Sequence, residues 1–399
     1  MKKVDVFVSG GGIAGMVSAL AFERLGLSVC CADPTTPVSA RGEIGADLRT
    51  TAFLQPSKQF LDELGLWGTF KDHATPLDIM RIADAGGSEE PNQIKVIKDF
   101  DAREISDLPF GWNVPNWLSR RALKEALVKS NTAEFLANVE TKQVFTRDTE
   151  ARILLSTGET ISARLVIGAD GRNSLVRQSA GISVRTTLFG QKAMAFAITH
   201  PIPHNNISTE IHRRGGPFTL VPLPDHEGQP SSAVVWMETS AEATRLMELS
   251  PAAFETEMSE RSCHVLGPLT LASTRSVWPI ISQIAERLNG KRVALVAEAA
   301  HVMPPIGAQG LNMSISDIKT LRDIATRADD IGAPEVLEKY HRARINDVRL
   351  RVNGISILNQ ASLGALPLLK DLRPFGIQTL HSIAPVRNRL MKLGLGLGR

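Results

Sequence analysis

Val4 to Val8 form an apolar run that breaks into Ser9-Gly10-Gly11-Gly12-Ile13-Ala14-Gly15. The following MVSALAFERLGL places small and apolar residues at helical spacing as far as Gly26. The pattern predicts strand, glycine turn, helix, and LSVCCAD predicts a second strand ending on Asp33. Alternation then stops in a polar loop from Ala40 to Thr51 that carries Arg41, Asp47 and Arg49. The spacing of Phe53, Leu54, Phe60, Leu61 and Leu64 predicts a helix over 53–66, and residues 78–100 predict two strands round a Gly-Gly turn. Ser119 is placed to cap a helix RRALKEALVKS. From VETKQVF onward short strands follow, with a turn at Thr157-Gly158, ending in LVIGADGRNSLVR.

Between about 183 and 278 the pattern changes to antiparallel strand candidates, namely KAMAFAIT, ISTEIH, PFTLVPLP and SAVVWME, with one helix near 251–264. RVALVAEAA returns to a buried, parallel-type strand, and the chain from about 335 is mostly helical. The expectation is an α/β protein with a Rossmann-type first segment, an inserted antiparallel sheet and a helical C-terminus.

The glycine turn has a physical rationale at each position. Gly10 permits the tight turn, Gly12 lets backbone N–H groups approach a pyrophosphate, and Gly15 lets the helix pack on its strand. Ile13 and Ala14 open a helix whose N-terminus carries partial positive charge. Asp33 is positioned for ribose hydroxyls. FAD and NAD are not separable from this turn alone.

Composition narrows the field. A formal net charge of +3 with scattered basic residues, one Tyr and five Trp gives no nucleic-acid platform. Cys30, Cys31 and Cys263 make no disulfide framework, and the adjacent pair lies in an apolar run, which predicts inert buried thiols in a reducing compartment. His200 and His204 are separated by Pro201 and Pro203, so they form no helical metal pair. VDVFVSGGG is too short and polar for a secretion signal, and no apolar stretch is long enough to span a bilayer, so a cytoplasmic protein is expected. VRNRLMKLGLGLGR interleaves Arg387, Arg389, Lys392 and Arg399 with Leu390, Met391, Leu393, Leu395 and Leu397. Two readings stand: a tail resting on the inner face of an anionic membrane, or a closing helix packed on the protein.

The glycine turn, IGADGRNSLVR at 167–177 and VALVAEAAHVMPPIGAQGLNMSISD at 293–317 occur in the order that resembles the group A flavoprotein monooxygenases. The ubiquinone-biosynthesis hydroxylases are the most similar. They share Asp47-x-Arg49, L-G-L-W at Leu64 to Trp67, a helix start with Arg121 and Leu123, and G-P-x-x-L-x-P-L from Gly216 to Leu223. The resemblance covers about residues 4 to 395. It implies a glutathione-reductase-like FAD fold in which 1–77, 101–182 and 275–334 bind the cofactor. Residues 78–100 and 183–274 form the substrate sheet, and 335–399 a helical segment.

It also implies cofactor contacts from Gly10, Gly12, Ile13, Ala14, Gly15, Asp33, Arg49, Arg121, Asp170, Glu298, Pro305, Gly307, Ala308, Gln309, Gly310, Leu311 and Asn312. The implied reaction is hydroxylation of an aromatic ring, such as a prenylated phenol, with NAD(P)H and O2. A peripheral membrane or biosynthetic-complex setting is implied as well. A related flavoenzyme acting on another aromatic, or a scaffold that has lost turnover, remain alternatives.

The chain departs from the family pattern at Ala297, Glu298, Ala308 and Ser314, where the family has Gly, Asp, Gly and Gly. Alanine is strained if the backbone needs positive φ and nearly free if glycine only gave clearance. Arg177 is read either as closing the cofactor segment or as tying two segments together, and His301 as structural or cofactor-contacting. The single Tyr, Tyr340, excludes a tyrosine pair that would activate a phenol. His212 and Arg214 are the candidates on the sheet, and no catalytic base is assigned.

Overall fold

A computed structural model describes residues 1–38, 40, 43, 47, 49–86, 93–213, 215–362 and 384–395. Arg41, Arg214, Leu397 and Arg399 lie outside the described residues. Apolar strands of the first sheet run in the order Val293–Leu295, Thr160–Gly168, Lys2–Ser9, Val29–Asp33 and Ala133–Ala137, all parallel. Val6, Phe7, Cys30, Cys31, Leu165 and Val166 are buried on both faces, as parallel strands covered by helices require. Both adjacent cysteines are in this core, and burial pushes the Cys30 thiol up to about 12. Ala151–Leu155 adds antiparallel to Thr160–Gly168, and Thr141–Thr146 pairs antiparallel with Ala151–Leu155.

The second sheet has the order His301–Val302, Ser276–Ala285, Val184–Thr199, Gln229–Thr239, Pro217–His226, Ile207–His212, Ile79–Asp84 and Val96–Asp101. Its pairs are antiparallel except Ile207–His212 with Ile79–Asp84, which run parallel. Ser276–Ala285 pairs with Val184–Thr199, so this sheet continues past residue 274. One face carries Met194, Phe196, Ile198, Ile211, Phe218, Leu220, Val234 and Trp236. They pack on Leu246, Phe254 and Met258 of the helices Ser240–Glu248 and Pro251–Arg261. The sequence pattern identified only the second of these helices.

Two other expectations are corrected. Phe53 and Leu54 belong to the strand Thr50–Leu54, and the helix is Gln55–Glu63. Phe53 faces Trp112 in the three-stranded sheet and packs on Phe70, while Pro56 at the first turn fixes the helix start. The other helix begins at Asn116, not after Ser119, and Ser119 Oγ donates inside it to the Pro115 carbonyl.

At the C-terminus, Met391 and Leu395 of the helix Ala384–Leu395 are buried with Leu54, Ala102 and Phe110, and Arg387 pairs with Glu104. The closing-helix reading describes that inward face. No described helix is long and apolar enough to cross a membrane.

Candidate functional site

The carboxyl ends of adjacent parallel strands bring the three motifs to one edge of the first sheet, where ligands of open α/β sheets bind. The glycine turn follows Lys2–Ser9, Asp33 ends Val29–Asp33, Asp170 follows Thr160–Gly168, and Glu298 follows Val293–Leu295. A Cβ on Gly10, whose φ is +104, would stand 2.3 Å from the Ala169 carbonyl oxygen, and one on Gly15 would stand 1.8 Å from that of Gly10. Those two glycines are demanded by close backbone approach. Gly12 is different: a Cβ there meets nothing within 4 Å. It caps the helix Ile13–Glu23 with no side-chain hydrogen bond, and among the described residues no side chain claims the first-turn N–H groups.

Asp33 holds the turn. Its Oδ2 accepts from Gly11 N–H at 2.6 Å, and its Oδ1 from the N–H and hydroxyl of Thr35 at 2.8 and 2.6 Å. Of about four acceptor positions on a carboxylate, roughly one is left for a ligand. The arginine beside it is Arg120, 3.9 Å from Asp33 and hydrogen-bonded to Thr35 Oγ1. Arg121 lies over the Trp117 ring with Glu125 at 3.8 Å. The sequence reading named Arg121 among the cofactor contacts, whereas the arginine facing Asp33 is its neighbour Arg120. Helical phase held the signal, because Arg120 stands one turn before buried Leu123 and two before buried Leu127.

Arg49 makes a bidentate pair with Asp47, at 2.8 Å for both bonds, and its guanidinium lies 5.5 Å over Trp278. The Asp47 pairing raises the Arg49 pKa, with a smaller contribution from Glu298. Burial opposes ionisation of Asp47, but Arg49 and the Asn116 amide outweigh it and hold the carboxyl below its usual range.

Ser174 caps the helix Leu175–Ser179, and Asp170 braces that cap, accepting from Ser174 Oγ at 2.5 Å and Val176 N–H at 3.0 Å. Burial raises its pKa against those bonds. Arg177 makes no ion pair with an acid at hydrogen-bond distance among the described residues. It donates to the carbonyls of Ala299 at 2.9 Å and Arg172 at 2.8 Å, tying the middle motif to the late one.

In the late loop Ala297 and Ala308 have φ of 55° and 54°. Both alanines therefore occupy the left-handed region, and the backbone keeps the shape a glycine would take. Ser314 sits inside the helix Gln309–Ala325, where its hydroxyl donates to the Gly310 carbonyl and no such strain arises. Pro305, Gly307, Gly310 and Glu298 are exposed, and Ala308, Gln309 and Leu311 half-buried.

Asn312 is buried and fully engaged: Oδ1 accepts from Leu54 N–H, and Nδ2 donates to the Ala52 and Ala308 carbonyls. Gln309 joins Arg351, which donates to Oε1 at 2.7 Å, to the Gly394 carbonyl, which accepts at 2.9 Å. These two side chains hold the loop in place. His301 is buried, with Nε2 2.6 Å from Asp317 in the core. Ala308→Gly is expected to stabilise the fold by about 0.5–1 kcal/mol, the relief of αL strain less the entropy of glycine. Urea unfolding with an unchanged slope measures it.

An open glycine turn, a helix N-terminus capped by glycine alone and an exposed loop before a second helix fit a dinucleotide with an extended ring system. The molecule has the architecture of an FAD-dependent monooxygenase, similar in fold to p-nitrophenol 4-monooxygenase PnpA from Pseudomonas putida DLL-E4. The TM-score is 0.80 at 18% identity, covering 100% of this chain and 99% of that one. The flavin-dependent monooxygenase PieE, solved with FAD and substrate, superposes with a TM-score of 0.72 at 19% identity, over 99% of this chain and 71% of that one. The FAD binding domain family matches residues 3–352, and the chain belongs to that family. "Ubiquinone hydroxylase UbiL" of Rhodospirillum rubrum is 30% identical over 99% of this chain and 90% of the relative. "3-demethoxyubiquinol 3-hydroxylase" of Escherichia coli is 25% identical over 99% of each.

Proposed function

We propose that this protein is an FAD-dependent monooxygenase that hydroxylates an aromatic ring, a prenylated phenol of ubiquinone biosynthesis, using NAD(P)H and O2. The observation that carries the proposal is the convergence of all three motifs at one sheet edge, with left-handed backbone kept at Ala297 and Ala308.

In this reading Gly12, Ile13, Ala14 and Gly15 present backbone N–H groups to the pyrophosphate, Gly10, whose own N–H donates to the Ala32 carbonyl, makes the tight turn beside it, and Asp33 receives a ribose hydroxyl. Arg120, beside Asp33, lies at the adenosine end in place of Arg121, and Arg49, Asp170 and Glu298 line the remaining length. Pro305, Gly307, Ala308, Gln309, Gly310 and Leu311 border the ring, with Asn312 fixing them from behind. The bound flavin would supply reduction by NAD(P)H and transfer of one oxygen atom from O2. The N-terminus of the helix Gln309–Ala325 stabilises negative charge on the ring. Ala193, Val235, Met237 and Ile280, with Trp278 and Ile306, form an apolar wall that excludes water.

The glutathione-reductase-like division belongs to the same proposal: 1–77, 101–182 and 275–334 for the cofactor and 78–100 with 183–274 for the substrate, save that Ser276–Ala285 extends the substrate sheet, and 335–399 as a helical closure. So does a cytoplasmic location with peripheral attachment to an anionic membrane, or to a biosynthetic complex, through exposed Arg389, Lys392 and Leu393. A scaffold without turnover would more naturally follow from a collapsed loop than from one that keeps its left-handed residues.

Arg120→Ala is expected to weaken FAD binding about tenfold, about 1.4 kcal/mol, while Arg121→Ala stays within about twofold. Flavin fluorescence titration compares them. Lipid extracts of a deletion strain test the substrate: accumulation of a prenylated phenol lacking one hydroxyl supports the reading, and an unchanged quinone profile contradicts it.

A further inference from the structure

Along the strand Ile207–His212, Ile211 points into the core behind the second sheet. Alternation therefore puts Glu210 and His212 on the opposite face. Register across the sheet places Glu210 beside Thr219, Thr219 beside Val235, and Val235 beside Ala195. Val235 packs in the cluster that includes Trp278 and Ile306, and Ile306 belongs to the loop entering the helix Gln309–Ala325. Glu210 thus shares a row with the wall of the proposed ring site, two strand spacings or about 10 Å across. That span suits a single aromatic ring whose reacting carbon lies towards Ile306 and whose hydroxyl lies towards Glu210 and His212.

His212 Nε2 is 2.7 Å from Glu210 Oε1. A carboxylate only accepts, so Nε2 carries the hydrogen and Nδ1 keeps the lone pair. Nδ1 is buried and has no hydrogen-bond partner among the described residues. A buried polar atom with no partner calls for a ligand or a chemical role.

Tyr340, His301, His200 and His204 are engaged elsewhere. Tyr340 donates to the Leu295 carbonyl in the first core, and His301 is held by Asp317. Both ring nitrogens of His200 and of His204 have partners.

We propose that His212, oriented by Glu210, is the group that takes the proton from the ring hydroxyl of the substrate. The inference rests on the aromatic-hydroxylase reading. The O–H bond of the substrate breaks and an N–H bond forms at Nδ1. The electron pair left on oxygen raises the nucleophilicity of the ring, and Glu210 balances the imidazolium. After oxygen transfer the proton returns to the same oxygen, so the relay is restored with no net charge gained. Sequence alone placed His212 on the sheet; its pairing with Glu210 and the unpartnered Nδ1 give it a role.

The test uses the flavin-loaded full chain and 4-nitrophenol, whose absorbance distinguishes phenol from phenolate. The assay is run at a pH where the free probe is largely protonated. Wild type is expected to bind it as the phenolate. His212→Gln is expected to bind it with similar affinity as the phenol, and to lose kcat about 100-fold with KM little changed. Glu210→Gln, which keeps the imidazole but loses its orienting charge, is expected to give a mixture of the two forms and stands in if His212→Gln does not fold.

A structural role for the pair would leave the protonation state of the bound probe unmoved. Bound phenolate in His212→Gln, or bound phenol in flavin-loaded wild type, overturns the inference while leaving the flavin reading intact. Wild type that cannot be loaded with FAD overturns both.

Discussion

Gly12→Ala is expected to fold like the parent and lose FAD affinity about 100-fold, about 2.7 kcal/mol, whereas Gly15→Ala loses the turn itself. The contrast follows from where each Cβ would go. At Gly12 it meets no protein atom within 4 Å, so the methyl group occupies only space beside the N-terminus of the first helix. The N–H groups there then cannot approach a pyrophosphate closely. At Gly15 the methyl would collide with the Gly10 carbonyl oxygen, so helix and strand must separate. Overpacking of this kind costs about 1–3 kcal/mol or more. Urea unfolding of both variants, beside flavin titration, separates the outcomes. Equal losses of stability in the two would mean that the open side of Gly12 has nothing to do with a ligand.

Asp317→Ala is expected to cost about 3–5 kcal/mol, because it strands a buried cation. Asp317 and Arg344 are almost wholly inaccessible, and Arg344 Nε donates to Asp317 Oδ1 at 2.6 Å. The contacts extend from His301 through Asp317, Arg344, Asp347 and Arg351 to Gln309, and from Gln309 to the Gly394 carbonyl. Removing Asp317 leaves Arg344 with Asp347 alone and frees His301 behind the late loop. Replacing both Asp317 and Arg344 by leucine is expected to recover part of the loss, since no charge is then stranded. A double mutant no more stable than Asp317→Ala would show that packing, rather than charge, sets the cost.

The sequence carried the parts of the fold that are local. The glycine turn, Asp33 at the end of its strand and the late strand at Val293–Leu295 are all where alternation and turn chemistry predict. What escaped depends on contacts far along the chain. Phe53 reads as helical by spacing, but pairing with Trp112 makes it a strand residue. Asn312 and Gln309 looked like ligand contacts, yet their amides are spent on Ala52, Leu54, Arg351 and Gly394. No local pattern reveals that a side chain is already engaged from another segment. The alanines of the late loop were ambiguous for the same reason, since strain is decided by φ, and φ at 297 and 308 is set by the surrounding packing.

The most direct measurement is turnover of the purified protein reconstituted with FAD, supplied with NADPH or NADH, 18O2 and a prenylated phenol. One flavin per chain, pyridine nucleotide oxidation stimulated by the phenol and a product carrying a single 18O on the ring are expected. A protein that cannot retain FAD, or a product oxygen drawn from water, would contradict the monooxygenase reading.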